Sequence, residues 1–242
     1  MDVNQVRKVA VIGAGAMGAG IAQVCSQAGY QVAMRDIERR FVDGGFRRIR
    51  EPLMKRVDKG KMTQEDVDRI LANIKGTVEL KEAVAGAQVV IEAIIEKMDP
   101  KKALFAELDG LCPADVIFAS NTSSLSITEM ANATKRPDRF VGMHFFNPAP
   151  VMKLIEVIRG SETSDASAAF ARAFAMKLGK EPVEVKRRIG FLPEGAPLYG
   201  DMTVMSFLEF IAEIRQLASA KAKQRIMYSI ERMGLEQVLY QR

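Results

Sequence analysis

Residues 8–36 read KVAVIGAGAMGAGIAQVCSQAGYQVAMRD, which predicts a strand, a glycine turn, a helix and a second strand in that order. The apolar run 9–12 is typical of a buried strand. Gly13, Gly15 and Gly18 follow at G-x-G-x-x-G spacing, and residues 19–27 are good helix formers. Gly29 stands where such a helix should end. Residues 31–34 then predict a second strand, close to Asp36.

The three glycines have different expected roles. The first permits a sharp turn, the second lets a pyrophosphate approach the backbone, and the third lets the helix pack closely on the sheet. Unpaired N–H groups at the helix start favour a diphosphate. An isolated G-x-G-x-x-G also occurs in ordinary turns, but here a strand, a helix and an acid accompany it. The turn therefore predicts dinucleotide contacts at Gly13, Ala14, Gly15, Ala16, Met17 and Gly18.

Asp36 is the acid that completes this pattern. It follows the third glycine at close to the roughly 20 residues expected of the carboxylate that binds the adenosine ribose hydroxyls. A carboxylate there repels a 2′-phosphate, so NAD is favoured over NADP. The neighbouring Arg35 weakens this argument, because a cation would attract that phosphate.

Composition narrows the classes of protein. The 242 residues are 48% hydrophobic and 27% charged, as in ordinary globular domains. No run of about 20 apolar residues predicts a membrane span, and the first strand begins too early to leave room for a signal peptide. Cys25 and Cys112 are expected to be reduced thiols in a cytoplasmic protein. One histidine and two distant cysteines predict no metal site.

The net charge of +5 has two interpretations. It can serve solubility, or it can attract a polyanionic ligand such as a dinucleotide or coenzyme A. Basic residues are not interleaved with aromatic ones, so nucleic-acid binding is not expected.

Strands and helices alternate along most of the chain. Further strands are predicted at 89–94, 116–119, 140–143, 154–158 and 183–185, with helices at 99–111, at 165–178 and after Ser126. This alternation predicts an α/β fold with a doubly wound Rossmann-type sheet. Residues 37–62 predict a basic helix interrupted at Gly44–Gly45 and kinked at Pro52. A second helix, capped by Thr63 and continuing through Ile74, makes a helical hairpin insertion.

The chain changes character after residue 188. We expect residues 1–188 to form a nucleotide-binding domain and residues 189–242 a short, mostly helical tail. Residues 187–201 are rich in glycine and proline and predict a linker. Residues 202–233 predict helix, ended by Gly234. Such a tail is too short for a large core of its own, so it is expected to pack on the sheet or on a partner.

His144 is the only histidine in the chain. A lone histidine is often a packing residue, but this one follows a strand, precedes a proline-rich turn and has Glu156 on the next strand. A histidine–carboxylate pair suits proton transfer near neutral pH. Ser123, just beyond the carboxyl end of a strand, could hydrogen-bond a substrate oxygen. A nucleophilic serine is disfavoured because the G-x-S-x-G turn is missing.

Three stretches, GAGAMGAGIA, SNTSSLSIT and GMHFFNPAPVMKLIEVI, resemble the NAD-binding domain of the 3-hydroxyacyl-CoA dehydrogenases. The resemblance covers about residues 5–191. It implies an oxidoreductase of fatty-acid β-oxidation or butanoate-type metabolism that interconverts (3S)-3-hydroxyacyl-CoA and 3-oxoacyl-CoA with NAD. By position it implies that His144 is the general base, Glu156 its orienting carboxylate, and Ser123 a contact of both substrate and nicotinamide. It also implies cofactor contacts at Asp36, Glu96, Lys101, Ser123 and Asn147.

The resemblance further implies that Lys59, in a basic cluster on the hairpin, contacts coenzyme A. A solvated face is the alternative for that cluster, which consists of Lys55, Arg56, Lys59 and Lys61. An acyl-CoA is the expected substrate, and a homo-oligomer or a partner chain is expected to complete the cleft.

The sequence departs from the family after Phe191. Family members continue with V-N-R and a helical domain that closes the cleft and dimerises, whereas here Glu194 stands at the usual Asn position. Residues 220–239 faintly resemble the C-terminal helices of enoyl-CoA hydratases, so a fusion with an internal deletion stays open. Two further alternatives are a catalytically impaired NAD-binding remnant or subunit, and a dehydrogenase of another small hydroxy acid.

Overall fold

The structure is a computed structural model and describes residues 2–185, 202–214, 219–234 and 236–240. The linker predicted at 187–201, which includes Glu194, lies outside the described residues. The chain divides into two compact units, Met1–Ile189 and Gly190–Arg242.

One sheet organises the first unit. Among its described residues the strands are β1 Lys8–Ile12, β2 Gln31–Arg35, β3 Ile74–Thr77, β4 Val89–Glu92, β5 Ile117–Ser120, β6 Phe140–Phe145, β7 Leu154–Arg159 and β8 Glu181–Val185. Their order is β3-β2-β1-β4-β5-β6-β7-β8. The strands from β3 to β6 are parallel, β7 is antiparallel to β6, and β8 is parallel to β7. The predicted doubly wound Rossmann-type fold is confirmed.

Helices cover both faces of this sheet. They are α1 Ala16–Gln27, α2 Arg39–Asp58, α3 Gln64–Ala72, α4 Leu80–Val84, α5 Met98–Leu111, α6 Ile127–Ala131 and α7 Asp165–Lys177. Side chains of β1 alternate between two hydrophobic cores, as the pleat requires: Val9 and Val11 join α1, α2, α3 and α7, while Ala10 and Ile12 join α4, α5 and α6. The chain winds in opposite directions from β1 and from β4, so a crevice forms at their carboxyl ends.

The predicted interruption of the basic helix is wrong, because α2 runs unbroken through Gly44 and Gly45. Gly45 instead permits close packing. A Cβ there would lie 2.9 Å from Met34 Cε and 3.0 Å from Ala14 Cβ, so a side chain would push the helix away from β2 and the glycine turn. The capping box of α3 is confirmed, since Thr63 and Asp66 cap each other's backbone.

The bounds of several other helices and strands differ from the predicted ones. Ile74 does not extend α3 but begins β3, where it pairs with Val32 of β2. The short elements β3 and α4 were not predicted. Helix α5 begins with Lys97 as its N-cap, before the predicted Asp99. His144 lies inside β6 rather than after it.

The second unit contains two helices among its described residues, α8 Val204–Ile214 and α9 Ser219–Met233, which contact each other. Residues 215–218, part of the predicted continuous helix, lie outside the described residues. Gly234 follows α9 with a φ of +63°, as its predicted helix-ending role requires. In the described parts of both units, no helix is long and apolar enough to cross a membrane.

A matched pair of substitutions tests the role of Gly45. Both Gly44→Ala and Gly45→Ala gain about 1 kcal/mol of helix propensity. At Gly44 the new Cβ meets only the ends of two flexible side chains, Arg48 Nη1 at 3.0 Å and Arg47 Nη2 at 4.0 Å. We expect urea denaturation to give Gly45→Ala an unfolding free energy about 1–2 kcal/mol below that of Gly44→Ala, because only Gly45 faces fully buried side chains, those of Ala14 and Met34. Equal stabilities of the two variants would contradict this packing role.

Candidate active site

The glycine turn between β1 and α1 leaves room for a ligand at one glycine only. A Cβ on Gly13, whose φ is +109°, would lie 2.4 Å from the Ala93 carbonyl oxygen, and one on Gly18 would lie 1.8 Å from the Gly13 oxygen. Those two glycines are therefore required by the protein itself. A Cβ on Gly15 would meet nothing within 4 Å. The fold does not require Gly15 to be a glycine, so its small size suits a ligand that approaches the backbone.

The start of α1 suits an anion. Gly15 is its N-cap and supplies no side-chain hydrogen bond, and its first turn contains no acidic residue. The positive end of the helix dipole therefore faces the open space before the turn. This combination fits the diphosphate of a dinucleotide.

Asp36 lies directly beside this turn. One of its carboxylate oxygens accepts the Ala14 N–H at 2.7 Å, and the other accepts the Ile37 N–H at 2.7 Å. The neighbouring Arg35 donates from Nε to the Val78 carbonyl at 3.0 Å. That contact ties the Arg35 side chain to residue 78, whereas Asp36 hydrogen-bonds the turn itself through the Ala14 N–H. A carboxylate in this position suits ribose hydroxyls better than a 2′-phosphate.

His144 and Glu156 face each other across β6 and β7. They are direct partners in the antiparallel register, and Nδ1 of the histidine lies 2.8 Å from Oε2 of the glutamate. An ionised carboxylate can only accept, so Nδ1 carries the proton in this pair. The other ring nitrogen, Nε2, is then free to accept a proton. It lies 3.3 Å from Ser123 Oγ.

The loop after β5, which carries Ser123, is hydrogen-bonded to Glu96 and to β6. The Ser123 backbone N–H donates to Glu96 Oε1 at 2.9 Å, and the Thr122 hydroxyl donates to the same oxygen. Asn121 Oδ1 accepts the N–H of Phe145, the residue after His144, at 2.9 Å. The three loop residues are thus fixed both to Glu96 and to the strand that carries the histidine.

Lys101 lies inside the protein. Its side chain is 0% exposed, and its Nζ lies 2.7 Å from Glu92 Oε1 and 3.0 Å from Glu96 Oε2. The prediction that Lys101 contacts the cofactor directly is wrong, because its side chain is fully buried and its ammonium group is held by Glu92 and Glu96. Glu92 was not predicted to be a functional residue. The available signal was an acid ending the apolar run V-V-I-E, a residue type that is rarely buried without a partner.

The two carboxylates around Lys101 differ in pKa. Burial raises the pKa of Glu92 and outweighs the opposing effect of Lys101. Partial burial also acts to raise the pKa of Glu96, but hydrogen bonds from Thr122, Lys101 and Ser123 outweigh it and hold that pKa below its usual value. Glu96 therefore accepts its hydrogen bonds as a carboxylate.

Two other predicted residues lie apart from this network. Asn147 is exposed in the turn after β6, which Lys180 braces by donating from Nζ to the carbonyls of Ala149 and Met152, at 2.7 and 2.8 Å. Lys59 is exposed and is the C-cap of α2, at the tip of the helical hairpin. The structure brings Ser123, His144 and Glu156 together and leaves Lys59 as a surface cation.

A dinucleotide turn and a histidine–carboxylate pair at one edge of a mostly parallel sheet define a Rossmann-type, dinucleotide-binding domain. The family model described as 3-hydroxyacyl-CoA dehydrogenase, NAD binding domain, matches residues 8–188. The chain belongs to this family, and those residues are its NAD-binding domain.

Individual relatives agree with this assignment. The chain is 46% identical over 188 residues to a probable 3-hydroxybutyryl-CoA dehydrogenase of Bacillus subtilis, covering 78% of this chain and 65% of the relative. It is 42% identical over 189 residues to the fatty acid oxidation complex subunit alpha of Idiomarina loihiensis, covering 78% of this chain and 26% of that protein. The chain thus spans about two thirds of the first relative and about a quarter of the second.

A solved structure shows the same fold. The crystal structure of (S)-3-hydroxybutyryl-CoA dehydrogenase from Ralstonia eutropha superposes with a TM-score of 0.73 at 45% identity. The match covers 75% of this chain and 64% of that one.

Two glycine substitutions should separate cofactor binding from folding. Gly15→Ala is expected to leave the unfolding free energy nearly unchanged but to weaken NADH binding at least about tenfold, because its methyl group occupies the space left for the diphosphate. Gly18→Ala is expected to lower the unfolding free energy by about 1–3 kcal/mol, because it clashes with the Gly13 carbonyl. NADH fluorescence titration and urea denaturation measure the two effects. Unchanged NADH affinity in Gly15→Ala would contradict the assignment of the turn.

Proposed function

We propose that this chain carries the redox site of a 3-hydroxyacyl-CoA dehydrogenase, which interconverts a (3S)-3-hydroxyacyl-CoA and NAD⁺ with a 3-oxoacyl-CoA, NADH and a proton. Fatty-acid β-oxidation or butanoate-type metabolism is the proposed setting. The observation that carries the proposal is the His144–Glu156 pair, with Nδ1 and Oε2 2.8 Å apart. This pair lies at the same edge of the sheet as the glycine turn, since β1 and β6 both end there.

The chemistry follows from the two ring nitrogens. His144 Nε2 takes the proton of the substrate's 3-hydroxyl group, while the C3–H bond breaks and its electron pair leaves as hydride. Bound NAD⁺ supplies the acceptor for that hydride, and the C3–O bond becomes a carbonyl. Glu156 holds the imidazole through Nδ1 and stabilises the imidazolium that forms. Ser123 Oγ, 3.3 Å from Nε2, is positioned to hydrogen-bond the reacting oxygen.

The remaining contacts belong to the same proposal. Residues 1–188 form the NAD-binding domain, with Asp36, Glu96 and Asn147 beside the cofactor, and residues 189–242 form a short tail. Lys59 and its basic neighbours are proposed to attract the phosphates of coenzyme A. A homo-oligomer or a partner chain is proposed to complete the cleft, as the resemblance to the family implies. Cys25 and Cys112 are unpaired and buried, which supports a cytoplasmic location.

A second function is favoured by one specific observation. Glu194 stands at the position where the resemblance places the family's Asn. A catalytically impaired NAD-binding remnant or subunit would bind NADH through the glycine turn yet show no turnover.

An assay with acetoacetyl-CoA distinguishes the two functions. The chain is expected to oxidise NADH in the presence of acetoacetyl-CoA, and His144→Ala is expected to lower kcat about 10²–10⁴-fold by removing the proton donor and acceptor. NADH affinity should stay unchanged in that variant. Glu156→Gln should retain more activity than His144→Ala, because the imidazole remains in place.

The control substrate is a small 3-hydroxy acid without coenzyme A, which should not be turned over. Binding of NADH with no turnover, in wild type and His144→Ala alike, would contradict the dehydrogenase function and favour the impaired module.

A further inference from the structure

We propose that Glu92 is a positioning residue, which acts through Lys101 and Glu96 to fix the loop 121–123 against His144. This inference rests on the proposed function for the importance of the Ser123–His144 contact. It concerns a network next to the site, the Glu92 relay, that consists of the buried residues Glu92, Ser120 and Lys101 and the exposed Glu96.

Glu92 ends β4 with its side chain 0% exposed, and it accepts hydrogen bonds from three groups. Ser120 Oγ donates at 2.5 Å, the Ile94 N–H at 2.7 Å, and Lys101 Nζ to both carboxylate oxygens at 2.7 and 2.9 Å. A carboxylate buried among apolar strands is costly unless it is paired and hydrogen-bonded in this way. A packing role alone would be served by an apolar residue of similar size, so the placement of a charge there needs another reason.

The reason lies in what Lys101 does next. Its single ammonium group lies between the carboxylates of Glu92 and Glu96, and it also donates to the Asn121 carbonyl at 3.3 Å. The Glu96 side chain is 41% exposed, so solvent competes for it. The buried Glu92 carboxylate fixes the Lys101 ammonium group, and this fixed ammonium group holds Oε2 of Glu96.

With Oε2 held, the other oxygen of Glu96 faces the loop. Oε1 accepts from the Thr122 hydroxyl and the Ser123 N–H, which sets the position of Ser123. The final contact, from Ser123 Oγ to His144 Nε2, is 3.3 Å long, beyond the usual range of such hydrogen bonds. A small displacement of the loop would therefore break it. The Asn121 contact to the Phe145 N–H ties the same loop to the histidine's strand.

The single histidine makes this inference measurable without turnover. The ring ¹⁵N resonances of the full chain can come only from His144, and the Nε2 resonance reports whether a hydroxyl donates to that atom. The Ser123→Ala variant serves as the reference, because it gives the position of the Nε2 resonance when the hydroxyl contact is absent. We expect Glu92→Gln, which keeps the shape but removes the charge, to move the Nε2 resonance in the same direction and to a comparable extent. In the acetoacetyl-CoA assay it should lower kcat about tenfold or more through misplacement of the reacting groups.

Asp109→Asn is the matched control. Asp109 lies on α5, the helix that carries Lys101, and its Oδ1 pairs with Arg136 Nε at 2.6 Å. The side chains of Asp109 and Arg136 are 9% and 10% exposed, against 0% for Glu92 and Lys101. This variant should lose stability comparably, yet keep the wild-type Nε2 resonance and kcat.

The milder variant Ser120→Ala keeps the test decisive if Glu92→Gln does not fold, because it removes one donor to Glu92 and little volume. It should move the Nε2 resonance in the same direction by a smaller amount. The proposal would be overturned if folded Glu92→Gln kept the Nε2 resonance at the wild-type position. If Glu92→Gln does not fold, the same result in Ser120→Ala would overturn it. Loss of the dehydrogenase function is a separate result: it would appear as absent wild-type turnover while the resonance still moved.

Discussion

The site depends on the register of one antiparallel strand pair. Among the described strands, β6 and β7 form the one antiparallel pair of neighbours, and β8 follows the direction of β7. This reversal places Glu156 opposite His144 at the edge where the glycine turn lies. A slip of one residue would move the glutamate to the other face of the sheet. Gly142 helps to fix the register. A Cβ there would lie 2.8 Å from Cβ of Ile158, its cross-strand partner, so only a glycine fits between the strands and α6.

The antiparallel direction of β7 also explains how the cofactor turn and the His144–Glu156 pair lie at the same edge of the sheet. The cofactor turn follows β1, and the loop with Ser123 follows β5, both at carboxyl ends of parallel strands. His144 comes from the same end of β6, whereas Glu156 comes from the beginning of β7, which only an antiparallel strand brings to that edge. Buried charges next to this edge connect the loop after β4 with the loop after β5. The main contact is that of Lys101 Nζ with Glu92 Oε1, at 2.7 Å.

Much of this arrangement could be predicted from the sequence, because its signals are local or repeat at short spacing. The glycine turn, Asp36 and the Thr63 cap are of this kind. The pairing of His144 with Glu156 could be anticipated because the two residues flank a single turn. The placement of Ser123 near them followed from the rule that ligands bind at the carboxyl ends of strands.

The rest depended on contacts between distant segments. Gly45 was predicted to interrupt its helix, because the residues next to it in sequence give no sign that it packs against Met34 and Ala14. Ile74 fitted the apolar period of α3, but pairing with β2 made it a strand residue. Lys101 was predicted to contact the cofactor, and only the fold shows that its side chain is fully buried against Glu92.

The most direct test of the central claim is a nuclear Overhauser measurement on the chain with NAD⁺ bound, between the ring protons of His144 and the C4 proton of the nicotinamide. Because the chain has one histidine, the signal has one source. We expect a cross-peak that is lost when Gly15 is replaced by a larger residue and the cofactor no longer binds. Bound NAD⁺ without any such cross-peak would contradict it, since the histidine pair would then lie away from the cofactor.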